Sequence, residues 1–208
     1  MSVHNFEYYK QKGKSLDEIN FYLMDIKDLS LTELIEERFI RLFRVSISNL
    51  LRNVVDLKVS SKSKTSLEEF KQNSSGTHFY LIGKSEVLKG PMIFQFETSL
   101  GRGIIHHLLG GENITFKECD TEFTQIELSV MKVVYEKLLV DFNEAWSPIK
   151  KLDVGHLRFE INSKFIGIVS DDEPCLELEI ELNFCQSSGK MRILIPFQTL
   201  YPIRERLF

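Results

Sequence analysis

Three stretches of this sequence contain residue types that could do chemistry, and none of them forms a catalytic constellation. Adjacent helix positions such as His106 and His107 point about 100° apart, so they cannot both face one metal ion. The acidic run Asp171–Glu173 stands before Pro174, which is typical of a solvated turn. Gly101–Gly103 lacks the lysine and the serine or threonine of a phosphate loop. The sequence therefore predicts no catalytic residue, no metal site and no cofactor.

The glycine pair that follows this region is better suited to binding another protein. Gly110 comes just after the apolar residues of a predicted helix, where glycine can take the left-handed conformation that satisfies the last helix carbonyls. A new helix is predicted to begin at Thr124, because Thr124 and Glu127 have the spacing of a capping box. The alternative is that two glycines simply end a helix. The candidate docking loop consists of Gly110, Gly111, Glu112 and Asn113.

The elements around this loop occur in the same order twice. A helix over about 30–52, opened by a capping box at Ser30–Glu33 with a Leu29/Leu34 staple, is followed by strands at 54–59, 78–84 and 92–97 and by the helix that ends at Gly110. A second long helix, from Thr124 to about 146, is followed by strands at 154–161, 176–184 and 192–196 and a closing helix over 197–207. Ser187–Gly189 is predicted to be the turn between the last two strands.

Superposing the two predicted capping boxes gives a shift of 94 residues (124 − 30), which pairs Asn49 with Asn143. Each half would leave one apolar sheet face bare. We therefore expect one α+β domain, similar to an α/β sandwich, that is built from a pseudo-symmetric, duplicated helix–strands–helix unit over residues 29–208. Residues 1–28 are rich in charged and aromatic residues with a polar break at Lys10–Lys14, which predicts a mobile N-terminal arm.

Composition limits the partners. The apolar fraction of 43% is enough for a substantial core, and a formal charge of −4 with a pI near 5.8 gives no basic footprint for nucleic acid. The apolar runs are too short to span a bilayer, and the first thirty residues contain no apolar leader segment. Three cysteines without metal-ligand spacing favour a reduced, cytoplasmic setting.

Several motifs in a fixed order resemble the FliM family of flagellar motor switch proteins over residues 30–207. They are Leu34–Arg44, Ser48–Arg52, Leu108–Gly111, Glu122–Glu127, Glu144–Trp146, Ile195–Phe197 and Pro202–Arg204. The resemblance implies the FliM middle domain, whose fold is shared with the CheC and CheX phosphatases. It further implies a cytoplasmic, non-enzymatic component of the flagellar basal body, peripheral at the inner membrane. Such a component docks the middle domain of FliG through Gly110–Asn113, contacts neighbouring FliM subunits and relays binding of phosphorylated CheY to rotation direction in chemotaxis.

The chain departs from the family pattern at three places. Asn113 stands where the family has the last glycine of its docking loop, at a backbone cost of about 1 kcal/mol. Ser15–Leu23 is similar to a degenerate CheY-binding peptide, although a leader helix packed through Ile19, Leu23 and Ile26 fits the spacing equally well. The candidate CheY-binding residues are Glu18, Ile19, Asn20 and Leu23. The family continues past Phe208 into a domain like FliN, so FliN is expected as a partner only where such a domain follows.

Two other functions fit the same fold. CheC-type phosphatases are similar in fold but need a glutamate and, three residues on, an asparagine; this chain has Val133 with Glu136, and Glu37 with Ile40. A scaffold of a type III secretion sorting platform would not be expected to combine the Gly-Gly loop with the helix restart. Within the FliM interpretation, the charged residues of the first long helix are candidates for lateral subunit contacts. They are Glu37, Arg38 and Arg41.

Overall fold

A computed structural model describes residues 3–74, 77–88, 90–111, 123–185 and 187–207. The α-helices are α1 (Val3–Gln11), α2 (Leu16–Leu23), α3 (Ser30–Leu51), α4 (Leu67–Gln72), α5 (Thr98–Leu108), α6 (Gln125–Trp146) and α7 (Phe197–Leu200). The strands are β1 (Val55–Ser66), β2 (Thr77–Ser85), β3 (Gly90–Glu97), β4 (Val154–Asn162), β5 (Pro174–Phe184) and β6 (Ser187–Pro196). Short 3₁₀ helices occupy Ile26–Asp28, Ser163–Phe165 and Tyr201–Arg206.

The six strands form one antiparallel sheet in the order β1-β5-β6-β3-β2-β4. Exchanging β1 with β4, β2 with β5 and β3 with β6 and reading the order backwards returns the same order. The sheet therefore has a pseudo-two-fold axis between β6 and β3, and each half contributes strands to both sides of it. This topology confirms the predicted duplicated unit and the single α+β domain.

Equivalent side-chain contacts near the C-terminal ends of α3 and α6 give the sequence offset between the two halves. Ser48 Oγ accepts a hydrogen bond from the Val55 N–H at 3.1 Å, and Asn143 Oδ1 accepts one from the Val154 N–H at 2.8 Å. Each contact joins a long helix to the first residue of the strand that follows it. The two helix residues, Ser48 and Asn143, are 95 positions apart (143 − 48). The helices themselves start at residues 30 and 125. The predicted shift of 94 residues is therefore one residue too short. It was counted from Ser30 to Thr124, but Ser30 is the first residue of α3 whereas Thr124 is the N-cap that precedes α6.

The two long helices pack together on one face of the sheet. Phe39 and Phe142 meet edge to face with ring centroids 5.7 Å apart, and Ser46 donates a hydrogen bond to Asp141 at 3.0 Å. Tyr135 is buried beneath them and donates to the carbonyl of Phe79 at 2.7 Å. A second, smaller apolar cluster on the opposite face includes residues of α4. The C-terminal end of α5 and the first turn of α6 lie at the edge of the main core, where Leu109 and Ile126 are exposed.

Two local predictions are wrong. Within the described residues, α3 begins at Ser30 and its N-cap is Leu29, so Ser30 is not at the N-cap position that the predicted capping box requires. Leu29 is fully buried whereas Leu34 is exposed, so they do not act as a staple. The β5–β6 turn is also displaced, since Phe184 pairs with Ser187 and the connection consists of residues 185 and 186.

The first 28 residues differ from a free arm where the structure describes them. Residues 3–11 and 16–23 form α1 and α2, and α2 has a complete capping box between Ser15 and Glu18. Ile19, Phe21 and Tyr22 of α2 are buried against the domain. Residues 12–14 of the polar break lie in the connection between these helices, whereas Lys10 and Gln11 belong to α1. Burial of three large side chains explains why this segment packs, in line with the leader-helix alternative.

Candidate functional site

The helix that leads into the candidate docking loop ends in a defined glycine turn. The Gly110 N–H donates to the His107 carbonyl at 3.0 Å, and the Gly111 N–H donates to the His106 carbonyl at 2.9 Å. Gly110 has a φ of 87°, in the left-handed region that favours glycine. These two hydrogen bonds form a Schellman motif, with Leu109 as the C-cap of α5. The glycine stop predicted from the sequence is therefore confirmed at atomic detail.

The two glycines are required for different reasons. A Cβ at Gly110 would meet no described atom within 4 Å, so only its backbone conformation disfavours other residues. A Cβ at Gly111 would lie 2.0 Å from Cε1 of the His106 ring, which is closer than any real contact. Gly111 thus lets the turn close against His106. Glu112 and Asn113, the other two predicted docking residues, lie outside the described residues.

The far end of the loop is fixed by the capping box of α6. Thr124 donates its backbone N–H and its hydroxyl to Glu127 Oε2, at 2.7 and 2.9 Å, and the Glu127 N–H donates to Thr124 Oγ1 at 3.2 Å. Phe123, immediately before the cap, is buried and contacts the Phe79 ring, with the centroids 3.9 Å apart. The predicted helix restart is confirmed.

An ion pair joins the two helices that flank the loop. Arg102 Nη1 of α5 donates to Glu127 Oε1 at 2.9 Å, and these side chains are only 13% and 18% exposed. The Arg102 guanidinium also lies 4.4 Å from the centroid of the Phe123 ring. Glu127 therefore caps α6 with one oxygen and holds α5 with the other. Arg102 was not predicted from the sequence to take part in this site. The carboxylate of the predicted capping box was the one signal that a cation could lie nearby.

Exposed apolar side chains stand at both ends of the loop. Leu109 is 60% exposed at the end of α5, and Ile126 is 66% exposed in the first turn of α6. Leu109 directly precedes Gly110, and Ile126 lies two residues after Thr124, so both are close to fixed backbone. Exposed apolar groups beside fixed backbone at both ends of the loop suit contact with another protein surface.

The paired histidines have separate surroundings. A ring nitrogen of His107 lies 2.7 Å from the Leu51 carbonyl at the end of α3, and its ring contacts Phe184. The His106 ring packs against Gly111 instead. The two rings therefore serve different contacts, as their positions on a helix predict.

The predicted lateral residues lie along one groove. Glu37, Arg38 and Arg41 line a surface groove of about 490 Å³ together with apolar residues that include Leu34. Arg38 Nη2 is already bound within the chain, at 2.5 Å from Glu144 Oε1 of α6. Glu37 and Arg41 are exposed. Of the three, Glu37 and Arg41 are thus the residues available to a neighbour, and their lateral role stays a prediction.

The four candidate CheY-binding residues do not share one accessible face. Ile19 is buried and Leu23 is half-buried, whereas Asn20 is exposed. The Glu18 carboxylate accepts from the Ser15 N–H at 2.9 Å within the capping box of α2. Capping and a charged neighbour lower the pKa of Glu18: the Ser15 backbone hydrogen bond is the largest cause, and Lys14 adds to it.

The positions tested for phosphatase chemistry carry other residue types. Val133 and Glu136 are exposed on α6, and Glu37 is exposed on α3 while Ile40 is buried. With the offset of 95 residues between the two long helices, Glu37 is equivalent to Lys132 and Ile40 is equivalent to Tyr135. None of these pairs combines an acid with an amide one helical turn away.

Comparison with known proteins identifies the family. A family model described as the flagellar motor switch protein FliM matches residues 26–208. FliM of Borreliella burgdorferi is 31% identical over 171 residues, which are 82% of this chain and 49% of that protein. FliM of Pseudomonas aeruginosa is 29% identical over 175 residues, or 84% of this chain and 54% of that protein. The chain thus spans about half the length of the curated relatives it matches.

Solved structures have the same fold. The FliM middle domain from H. pylori superposes with a TM-score of 0.79 at 19% identity, covering 88% of this chain and 99% of that one. A chain of a FliG–FliM complex from H. pylori superposes with a TM-score of 0.82 at 20% identity, covering 88% of this chain and all of that one. Among the helices that the structure describes, none is long and apolar enough to cross a membrane. With its matching sequence and fold, the chain belongs to the family of the flagellar motor switch protein FliM.

Proposed function

We propose that this chain docks the middle domain of FliG through the loop between α5 and α6. The observation that carries the proposal is the fixed geometry of that loop at both ends. The Schellman turn at Gly110 sets the direction in which the chain leaves α5, and the capping box at Thr124 sets the direction in which it enters α6. The Arg102–Glu127 pair holds the two helices at a set separation.

Fixed ends favour binding because they reduce the entropy that the loop must lose. Ordering of loop backbone costs about 1–2 kcal/mol for each residue that becomes fixed. A loop whose ends are already held has fewer conformations to lose when a partner binds. Leu109 and Ile126 add exposed apolar surface on either side. Both observations support a protein partner, and the H. pylori FliM of similar fold is found in a complex with FliG.

The proposed role in the motor is mechanical and involves no bond chemistry. Neighbouring copies would meet along α3, where Glu37 and Arg41 are exposed. Binding of phosphorylated CheY would shift the domains between two packings and so re-aim FliG. Such a ligand can shift this equilibrium only by its difference in affinity for the two packings. The assembly would lie in the basal body at the cytoplasmic face of the inner membrane.

The docking proposal is tested by titrating the purified chain with the FliG middle domain. Gly110→Val and Gly111→Val should each weaken binding at least tenfold, since the first forces a branched residue into the left-handed region and the second displaces the His106 ring. Gly167→Val is the matched control, because a Cβ there would meet no described atom within 4 Å and its φ is not positive. Circular dichroism at the same temperature checks that each variant is folded.

The outcome that would contradict docking at this loop is FliG binding that is unchanged in both folded variants. Loss of binding in the Gly167→Val control as well would assign the effect to general destabilisation. The non-enzymatic role is tested separately, by following the decay of phosphorylated CheY with and without the chain. Decay faster than the spontaneous rate would overturn that part of the proposal.

A further inference from the structure

The helix α2 is held on the domain by one face. Ile19, Phe21 and Tyr22 are only 1%, 3% and 1% exposed. The Phe21 ring lies between two aromatic rings near the end of the chain, 5.3 Å from Phe197 and 5.9 Å from Tyr201, measured between centroids. These contacts join residues nearly 180 positions apart in sequence, so α2 is part of the folded domain.

The C-terminal end of α2 is held by a lysine of β1. Lys64 Nζ donates to the carbonyl of Tyr22 and, at 3.1 Å, to the carbonyl of Met24. Carbonyls at a helix end lack partners within the helix, and a cation beside them also interacts favourably with the helix dipole. Lys64 Nζ lies 4.8 Å from the centroid of the Phe197 ring as well. Lys64 therefore anchors α2 without belonging to it.

The opposite face of α2 is open to solvent. Leu16, Asp17 and Asn20 are exposed. An amphipathic helix that is bound by a partner presents its apolar face to that partner. In α2 this face is the one that the domain already covers, so a partner cannot use it while α2 is docked.

We propose that α2 is a segment docked in cis, and that a partner which binds residues 15–23 through their apolar face must first displace it from Phe197, Tyr201 and Lys64. The partner is phosphorylated CheY, so this inference rests on the part of the proposed function in which CheY binding re-aims FliG. CheY binding would then be coupled directly to release of α2 from the closing helices of the domain. The apparent dissociation constant would equal the intrinsic one divided by the undocked fraction.

The test weakens docking while leaving residues 15–23 unchanged. Lys64→Met removes both hydrogen bonds to α2 and keeps a chain of similar length. Lys58→Met, at an exposed lysine of the same strand, is the matched control. Amide hydrogen exchange of residues 19–23 and the affinity for CheY activated with beryllium fluoride are measured on the full chain.

Loss of a charged hydrogen-bond donor should increase the undocked fraction roughly tenfold. Exchange of residues 19–23 and CheY affinity should therefore both rise by the same factor in Lys64→Met, and neither should change in Lys58→Met. Phe21→Ala, which removes the central aromatic contact, should accelerate exchange further.

Each other result overturns the proposal. Exchange that stays slow in both Lys64→Met and Phe21→Ala means that these contacts do not hold α2. Faster exchange without a gain in CheY affinity, or without any CheY binding, means that CheY does not use the covered face. FliG binding measured on the same variants should remain at the wild-type level, so failure of this inference is distinguishable from failure of loop docking.

Discussion

Replacement of Glu127 by alanine tests whether one carboxylate sets both ends of the docking loop. Glu127→Ala removes the acceptor of the Thr124 N–H and hydroxyl and the partner of Arg102. Loss of a helix cap costs about 1 kcal/mol, and loss of a hydrogen bond to a charged group costs about 1.5–3 kcal/mol. Because the Arg102 and Glu127 side chains are 13% and 18% exposed, solvent screens the pair only in part. The expected loss in free energy of unfolding is about 3 kcal/mol.

The assay is urea unfolding at pH 7, followed by circular dichroism. Glu127→Gln keeps an oxygen acceptor for the cap and removes the charge, so it should cost about half as much as alanine. A double-mutant cycle with Arg102→Met should give a coupling energy of about 1–2 kcal/mol between the two side chains. FliG affinity should fall in Glu127→Ala, because the entry to α6 is no longer held. A loss below about 0.5 kcal/mol, within the usual range for surface substitutions, would show that Glu127 does not hold the two helices together.

Further predictions concern the two halves of the domain and its pH dependence. In urea unfolding, Asn143→Ala should cost about 2 kcal/mol and Ser48→Ala about 1 kcal/mol. The reason is that Asn143 makes two hydrogen bonds to Val154, whereas Ser48 makes one to Val55 at the equivalent position. Equal losses would contradict this difference in hydrogen bonding. Burial raises the pKa of Asp141, against the lowering effect of its Ser46 hydrogen bond. An acid whose folded pKa is raised contributes stability that is present below its unfolded pKa, near 4, and lost as the pH rises through the folded value. Relative to wild type, Asp141→Asn should therefore gain stability between pH 4 and pH 7, and an unchanged difference between these pH values would contradict the assignment.

Features set by neighbouring residues were predictable from the sequence, whereas features set by distant residues were not. The capping box at Thr124 and Glu127 formed as predicted, since both partners lie within one helical turn. The similar pattern at Ser30 did not predict the N-cap, which is Leu29, because residues distant in sequence contribute to the start of α3. The Leu31 N–H donates to the Leu207 carbonyl at 3.4 Å, so a donor of the first turn is satisfied from the other end of the chain.

The same distinction explains the other differences. The β5–β6 connection begins at Cys185, which has a φ of 49°, a conformation that sequence rules assign to glycine, asparagine or aspartate. Docking of α2 depends on Lys64, Phe197 and Tyr201, which are remote in sequence. The duplicated topology was predictable because it follows from the order of elements. The Arg102–Glu127 pair was not, because it requires the relative placement of α5 and α6.

The most direct test of the docking claim is a hydrogen-exchange footprint of the chain with and without the FliG middle domain. Slower exchange in complex is predicted for the backbone from Leu109 to Ile126, with no change in α2 or at the exposed residues of α3. The largest slowing of exchange on FliG binding should fall between these residues. Protection that falls on α3 or α4 while Leu109–Ile126 exchanges at its free rate would contradict docking of FliG at this loop.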